Sequence, residues 1–227
     1  MPAQLVKLQS APDLVERVHS ALLDAISDAT LAPGTRLRQE EIAEKLAVSR
    51  QPVLQALRQL KIDGFVLDAP GRGLMVAPLD VAWMRNVYQV RGALDALAAR
   101  LAAQQRWKID PALIEHGRKC ARGRDIQAMI DADMAFHQAI YAASNNPLIE
   151  LSAQVHWRHL RRVMGEVLQS SRQRSPVWDE HEAIAKAIAL GDAARAASLI
   201  DKHALAASDN LAARLTQVLE STAGNTP

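Results

Sequence analysis

The chain has 227 residues, which is enough for one large domain or two of modest size. It is 49% hydrophobic and 23% charged, which excludes a disordered chain, and its 4% aromatic content with 10 Gly and 10 Pro disfavours a β-sandwich or barrel. A formal net charge of +2 does not by itself indicate a nucleic-acid partner. Alanine and leucine recur at helical spacing, so we expect a mostly α-helical fold.

Three features of the sequence bear on the compartment. The single cysteine, Cys120, cannot form an internal disulfide, which predicts a reducing environment. The N-terminal stretch MPAQLVKLQSAP lacks the apolar segment of a signal peptide. No apolar run approaches the roughly 18 residues that a membrane helix needs. We therefore expect a cytoplasmic protein that has no membrane partner.

Residues 1–78 predict a first domain of three helices followed by a β-hairpin. The helices are expected over 13–29, 39–46 and 50–63, and two short apolar runs at 65–67 and 74–76 flank a Pro/Gly turn that predicts the hairpin. This is the element order of a winged helix-turn-helix domain. The apolar side chains expected to face inward from the first two helices are Leu14, Val18, Leu22, Ile26, Ile42, Ala43 and Leu46.

Residues 79–227 predict a second domain, an antiparallel bundle of six longer helices joined by short loops. The expected helices start at Asp80, Asp110, residue 124, residue 148, Ser175 and Asp192, and end near residues 105, 122, 143, 170, 191 and 220. The first of them carries an apolar stripe that is expected to be buried, consisting of Val87, Val90, Leu94, Leu97 and Leu101.

The third helix of the first domain carries the residues best suited to reading DNA. Residues 46–60 contain no acidic side chain, and such a basic stretch can meet phosphates even on a neutral domain. Arg50 and Gln51 would enter the major groove, where arginine pairs with guanine and glutamine with adenine. Arg72 lies at the hairpin tip beside Gly73, where glycine allows close approach to a minor groove. The alternative is a small helical domain whose arginines are merely solvated.

The motifs PGTRL, EIAEKLAVSRQPV, ALRQLKIDGFV and GRG follow one another over residues 33–78. This order resembles the N-terminal domain of the GntR family of transcriptional regulators. The resemblance implies a winged helix that binds a palindromic operator in double-stranded DNA as a homodimer, with Arg50 on bases and Arg72 and Gly73 in the minor groove. The full set of expected DNA contacts is Arg38, Ser49, Arg50, Gln51, Arg58, Arg72 and Gly73.

The chain departs from the family pattern at one position of the third helix. The family usually has an arginine two residues after the proline of the SR-x-PV motif, and this chain has Leu54 there. A DNA-contacting arginine is therefore absent. Either the operator preference differs from that of relatives, or Gln55 or Arg58 compensates.

Four polar residues of the second domain have the spacing of a metal site. Asp133 and His137 are four residues apart, so their side chains share one helix face. His181 and His203 stand about ten residues before and about eleven after the turn at 191–192, so both lie roughly 15–17 Å from it. Three imidazoles and one carboxylate suit a divalent ion, with zinc preferred and nickel, manganese or iron also suitable. The alternative is that each histidine makes an ordinary hydrogen bond.

Three further motifs, VYQVRGALDALAARLAA, DMAFHQAIYAASNNPL and HEAIAKAIALGDAARA, lead up to His203. They resemble the ligand-binding domain of the FadR (FCD) subfamily of GntR regulators over about residues 87–211. The resemblance implies that Asp133, His137, His181 and His203 hold one divalent metal, whose open positions meet a carboxylate-bearing effector or waters. It also implies that Arg91 faces the cavity and pairs with an anionic ligand. The alternative for Arg91 is a surface ion pair with Asp95.

The run HWRHLRR at 156–162 offers one more candidate for effector binding, His159. It would line the same cavity from the fourth helix of the bundle. A solvated helix face is an equally good interpretation of this run.

These observations favour a metabolite-responsive transcription factor, a repressor in most members of the family. The effector, a small organic acid, would bind one arrangement of the bundle better than another and so change operator affinity by about 1–3 kcal/mol. Two alternatives stay open: a metal-dependent hydrolase or oxygenase with a DNA-binding head, and a sensor of the metal ion itself. Against an enzyme, the only carboxylate near the cluster that could serve as a general base, Asp131, points elsewhere on its helix, so we predict no catalytic residue.

Overall fold

A computed structural model describes residues 13–168 and 176–223 of the chain. The chain divides into two compact units at the boundary between Pro78 and Leu79. In the described residues, nine helices and three short strands are present, so the prediction of a mostly α-helical fold with a winged head and a helical C-terminal part is confirmed.

The first unit has the winged helix-turn-helix order. Its elements are α1 (Asp13–Ser27), β1 (Arg36–Leu37), α2 (Gln39–Lys45), α3 (Arg50–Ile62), β2 (Val66–Asp68) and β3 (Leu74–Val76). The strands form an antiparallel sheet in the order β1-β3-β2, with Leu37 opposite Leu74 and Val66 opposite Val76. The predicted two-stranded hairpin is thus incomplete: β1 is only two residues long, which is too short for an alternating pattern to reveal it.

The core of the first unit is built by α1 and α3 against the sheet. Val18, Leu22 and Ile26 of α1 are buried, as the four-residue step predicts. Two residues predicted to face inward do not, since Leu14 is 40% exposed and Leu46 is 37% exposed. Both lie at or beside the end of a helix, where fewer neighbouring elements can cover a side chain.

The second unit consists of six helices. They are α4 (Val81–Gln104), α5 (Pro111–Arg122), α6 (Ile126–Ala143), α7 (Pro147–Val167), α8 (Pro176–Leu190) and α9 (Ala193–Ala223). Asp80 and Asp110 cap α4 and α5 as predicted, by accepting hydrogen bonds from the backbone N–H of Trp83 and Ala112. The predicted helix end at residue 170 and the predicted cap at Ser175 lie outside the described residues.

The starts of α6 and α7 differ slightly from prediction. The N-cap of α6 is Asp125 and that of α7 is Asn146, and each side chain accepts a backbone N–H of the first turn. The helices therefore begin at Ile126 and Pro147 rather than at residues 124 and 148. An acidic or amide side chain fixes a helix start more sharply than the apolar pattern can.

The buried face of α4 matches the predicted apolar stripe only in part, since Val87 is buried and Leu94 and Leu101 are half-buried. Val90 is 51% exposed and Leu97 is 37% exposed, whereas Arg91 and Asp95 are buried at 1% and 0% exposure. Helix α4 packs against α6, α7, α8 and α9, so its covered face is broad and includes many alanines. A charged pair can occupy this face because the two charges neutralise each other.

No helix in the described part of the chain combines the length and the apolar character needed to cross a membrane.

Candidate metal centre and nucleic-acid interface

The wing of the first unit is held in shape by Arg36 of β1. Its Nη1 donates a hydrogen bond to the backbone carbonyl of Arg72 at 3.0 Å, and its Nη2 donates to that of Pro70 at 2.7 Å. Gly71 and Gly73 flank Arg72 with φ angles of 86° and 93°, which a residue with a Cβ adopts only under strain. The Arg72 side chain is thereby presented at the exposed tip of the loop between β2 and β3. Arg36 belongs to the motif PGTRL of the sequence, but it was not predicted as a functional residue.

The first turn of α3 is open to solvent. Ser49 is the N-cap residue, with extended backbone, and its side chain makes no capping hydrogen bond in the described structure. Arg50 and Gln51 follow on the exposed surface, and Arg58 is exposed two turns further on. Leu54, the position of the family's arginine, is half-buried. The structure thus presents the predicted side chains of α3 where a partner can reach them.

Two of the predicted arginines are paired with acidic residues of α2. Arg50 Nη1 lies 3.1 Å from Glu40 Oε1, and Arg38 Nη1 lies 3.0 Å from Glu41 Oε1. Both arginine side chains are about 70% exposed, so each pair contributes little to stability. The role of all seven predicted contact residues on DNA stays a prediction.

In the second unit, the four predicted metal ligands meet in one cluster. Asp133 and His137 project from α6, His181 from α8 and His203 from α9, and their ligand atoms all lie within 4.8 Å of one another. The three histidines are buried, and Asp133 is partly exposed. His181 Nε2 lies 3.3 Å from His203 Nε2 and 3.4 Å from Asp133 Oδ1.

The geometry and the unpaired atoms of this cluster fit a divalent metal. Ligand atoms bound to one ion at about 2.1 Å lie roughly 3.0–3.4 Å apart, which matches both separations. Both ring nitrogens of His137 are buried and have no hydrogen-bond partner among the described residues. Buried polar atoms are normally satisfied, and an ion would satisfy one nitrogen of His137. The donor set of imidazoles and a carboxylate suits zinc and its neighbours in the first transition row.

Glu180 orients one of the ligands. Its Oε2 lies 2.7 Å from His203 Nδ1, so the imidazole donates to the carboxylate and leaves Nε2 available towards His181. Sequence reasoning missed this residue, although its position next to His181 on α8 and the antiparallel packing of α8 on α9 were a usable signal.

A network of charged and aromatic side chains adjoins the cluster of candidate metal ligands. Arg91 Nε lies 3.0 Å from Asp95 Oδ2, and the Arg91 guanidinium stacks over the rings of Trp157 at 4.3 Å and Tyr88 at 5.0 Å. Tyr141 donates a short hydrogen bond from its hydroxyl to Asp95, and Trp157 Nε1 donates to the Tyr141 hydroxyl at 3.1 Å. The ion pair with Asp95 exists, but it is buried and not on the surface as the alternative interpretation supposed.

Burial and this network set the charge states. Burial alone would raise the pKa of Asp95, but the attraction of Arg91 and of His137, whose Nδ1 lies 3.5 Å from Asp95 Oδ2, lowers it to about 2. Burial lowers the pKa of His137 and, more strongly, that of His181. Neutral imidazoles are the form that binds metals, so the environment prepares these side chains for coordination.

A cavity of about 280 Å³ opens beside the cluster. Asp133, His203 and Arg91 line it, and the role of Arg91 in effector binding stays a prediction. Its remaining lining is mostly apolar, with Trp178 as one wall. His159 is not among the described lining residues; it is buried against Trp83, with ring centroids 5.8 Å apart. Its role as an effector contact stays a prediction.

Two protein-family models match the chain. The model of bacterial regulatory proteins of the gntR family matches residues 14–76, and the FCD domain model matches residues 86–221. Together they cover both units, and the two resemblances drawn from the sequence are confirmed.

Individual proteins agree with these matches. An uncharacterized HTH-type transcriptional regulator in an unstable DNA locus of Streptomyces ambofaciens is 28% identical over 80% of this chain and 78% of its own length. The HTH-type transcriptional regulator LutR of Bacillus subtilis is 28% identical over 78% of this chain and 92% of its own length.

Solved structures show the same fold. A GntR transcriptional regulator from Rhodococcus sp. RHA1 aligns with a TM-score of 0.71 and 25% identity over 88% of this chain and 98% of that one. McbR/YncC of E. coli aligns with a TM-score of 0.73 and 21% identity over 91% and 99% of the two chains.

Proposed function

The chain belongs to the GntR family of bacterial transcriptional regulators and carries an FCD domain, and from this premise we propose that a carboxylate-bearing metabolite, bound at a divalent-metal site, controls the affinity of the protein for an operator. Members of the family are DNA-binding regulators and not enzymes, and this chain is one of them. To this DNA-binding role the proposal adds a bound divalent metal, a carboxylate effector, a homodimer, a palindromic operator and repression of transcription. Because bacterial DNA lies in the cytoplasm, the proposal also includes a cytoplasmic location for the protein.

One observation carries the sensing part of the proposal. Four metal-type ligands from three helices converge beside a cavity that Asp133, His203 and the buried Arg91 line. FCD domains commonly bind metals, and this cluster has the donors, the spacing and the unpaired nitrogens for one ion. A bound divalent ion would attract a carboxylate as a Lewis acid.

The residues of the chain have separate tasks in this scheme. Asp133, His137, His181 and His203 hold the ion, and zinc is the first choice. Arg91 lines the cavity with a positive guanidinium that Asp95 and two aromatic rings keep in one position. A carboxylate that enters the cavity meets this fixed donor in addition to the ion.

In the first unit, the proposal assigns the first turn of α3 to base edges and the wing to the minor groove. Arg50 and Gln51 would read bases, and Arg72 with Gly73 would enter the minor groove. Arg38, Ser49 and Arg58 would contact phosphates around them. Effector binding changes operator affinity by about 1–3 kcal/mol because the effector binds one state of the dimer better than the other.

The test is fluorescence anisotropy with the palindrome found upstream of the protein's own gene. The zinc-loaded protein should bind it at moderate salt, and the affinity should change when an organic acid is added. Arg50→Ala should weaken binding to this palindrome far more than to a scrambled duplex, whereas Arg17→Ala, on the exposed part of α1, should not.

Three results would overturn parts of the proposal. Absence of binding with and without acids would refute operator recognition. An affinity that follows free zinc and ignores every acid would favour a sensor of the ion. Wild-type protein that binds no divalent ion in native mass spectrometry would refute the metal site.

A further inference from the structure

Helix α9 extends the cavity away from the metal cluster along one face. The lining residues of α9 recur every three or four positions from His203, through Ala207 and Asn210, to Arg214. At about 1.5 Å per residue, His203 and Arg214 are roughly 16 Å apart along the helix axis. The cavity is therefore elongated, with the candidate metal ligands at one end and a guanidinium at the other.

Most of the remaining lining of this cavity is apolar, with Tyr88, Glu180 and Asn210 as further polar members. Met129 of α6, Met164 and Leu168 at the end of α7, and Trp178 of α8 line it together with apolar residues of α9. Such a wall offers few hydrogen-bonding partners to a chain of hydroxyl groups, and leaving those groups unpaired would cost binding energy. The body of the ligand should thus be a hydrocarbon chain.

Among the described residues, Arg214 differs from Arg91 in having no anionic partner. Asp95 already balances the charge of Arg91. Arg214 is half-buried, lines the cavity, and has no ion-pair or side-chain hydrogen-bond partner in the described part of the chain. Asn210, one turn earlier on the same face, adds an amide donor beside it. An arginine that lines a cavity and forms no ion pair with a described residue is a site for an anionic group of a ligand.

We propose that the effector is a straight-chain dicarboxylic acid, with one carboxylate at the metal end of the cavity and the second on Arg214. This inference rests on the proposed function and makes Arg214 the residue that determines specificity. Because an arginine side chain on a helix leans towards the N-terminus, its guanidinium lies closer to His203 than the 16 Å of axis suggests. A chain of about eight carbons then spans the two ends.

The test is isothermal titration calorimetry on the full-length, zinc-loaded protein, with octanedioate, octanoate and butanedioate as probes. Octanedioate should bind about tenfold more tightly than octanoate, since it gains a charge-assisted pair with Arg214. Arg214→Met should remove this advantage and leave octanoate binding within about twofold of wild type. Butanedioate is too short to reach Arg214, so the substitution should not change its affinity. Arg195→Met, at an exposed arginine of α9 outside the cavity, is the matched control.

The outcomes separate this inference from the proposed function. Octanoate and octanedioate binding equally to wild type would overturn the dicarboxylate inference and leave a carboxylate sensor standing. An advantage of octanedioate that persists in Arg214→Met would overturn the role of Arg214. If none of the three acids binds zinc-loaded protein, both the inference and the carboxylate-sensing part of the proposed function are refuted.

Discussion

Glu180 and His203 are joined by a hydrogen bond of 2.7 Å between Oε2 and Nδ1, while the Nε2 of the same imidazole faces His181. The carboxylate therefore selects the tautomer in which Nε2 carries a lone pair. In metal sites this arrangement fixes the ring and raises the basicity of the ligand.

We predict that Glu180→Gln lowers zinc affinity about 10–100-fold while the helical content stays unchanged. The amide can still accept a hydrogen bond but no longer carries the charge that favours the bound state. Competition with a chromophoric zinc chelator measures the change. Glu182→Gln is the control on the same helix, because Glu182 pairs with Arg118 and Lys186 instead of a histidine. Equal losses in the two variants would contradict a specific role for Glu180.

Replacing one of the metal-binding histidines should abolish the effect of zinc on thermal stability. Wild-type protein with free zinc at about a hundred times its Kd should gain about 2.7 kcal/mol, or about 5–10 °C in melting temperature, over protein in EDTA. His181→Ala should lose zinc and show the same melting temperature in both conditions. His116→Ala, at an exposed histidine of α5, should behave like wild type. The measurements are differential scanning fluorimetry and elemental analysis.

The buried Arg91–Asp95 pair predicts a strongly asymmetric pattern of stabilities. Asp95→Asn leaves a buried guanidinium without its counter-charge and should cost about 3–5 kcal/mol in urea unfolding. The double variant Arg91→Met with Asp95→Leu removes both charges and should be markedly more stable than Asp95→Asn. Arg85 is on the same helix as Arg91 and forms an exposed pair with Asp209 of α9. Arg85→Met breaks this pair and should cost at most about 1 kcal/mol. A cost of that size for Asp95→Asn would show that the pair does not behave as a buried one.

Arg36 is expected to act on DNA binding through the wing. Arg36→Ala removes both hydrogen bonds to the loop that carries Arg72, so operator affinity should fall while thermal stability changes by less than about 1 kcal/mol. Arg36→Lys keeps the charge but loses the planar two-armed donor, and we expect it to bind DNA nearly as weakly as the alanine variant. Anisotropy with the operator duplex provides the measurement. Full affinity in the lysine variant would indicate that only the charge of Arg36 matters.

The lowered pKa values of His137 and His181 predict a pH dependence in the absence of metal. Each imidazole takes up a proton more readily in the unfolded chain, whose histidines titrate near 6.5, than in the folded one. Below that pH the unfolded state binds more protons, so the folded state loses stability as the pH falls. Melting temperatures in EDTA should therefore decrease from pH 7.5 to pH 5.5. The double variant His137→Gln with His181→Gln should show a flatter curve; an unchanged slope would contradict this origin.

The features of the fold and the site that depend on local periodicity and spacing were predicted well from the sequence. The four residues of the cluster come from three helices, and two of them, His181 and His203, were placed level by counting residues from one tight turn. That calculation works because helical rise is constant and the turn at 191–192 is short. The winged order was likewise visible from helix lengths and turn residues.

What the sequence did not reveal depends on neighbours distant in the chain. Strand β1 exists only because Arg36 and Leu37 pair with β3, some 38 residues later. The burial of Asp95 and the exposure of Val90 follow from four helices that pack around α4, and no pattern within α4 encodes them. The partnership of Glu180 with His203 is a tertiary contact of the same kind.

The acidic partners of Arg50 and Arg38 on α2 have a consequence for the proposed mode of DNA binding. In that mode each arginine must exchange Glu40 or Glu41 for a phosphate or a base, so binding releases fewer bound cations than a count of basic contacts would suggest. The logarithm of the association constant should accordingly fall less steeply with ionic strength, and random duplex should retain the protein only briefly. A DNA-binding domain whose own carboxylates compete with DNA therefore stays longest at sites where contacts to base edges compensate for the lost ion pairs.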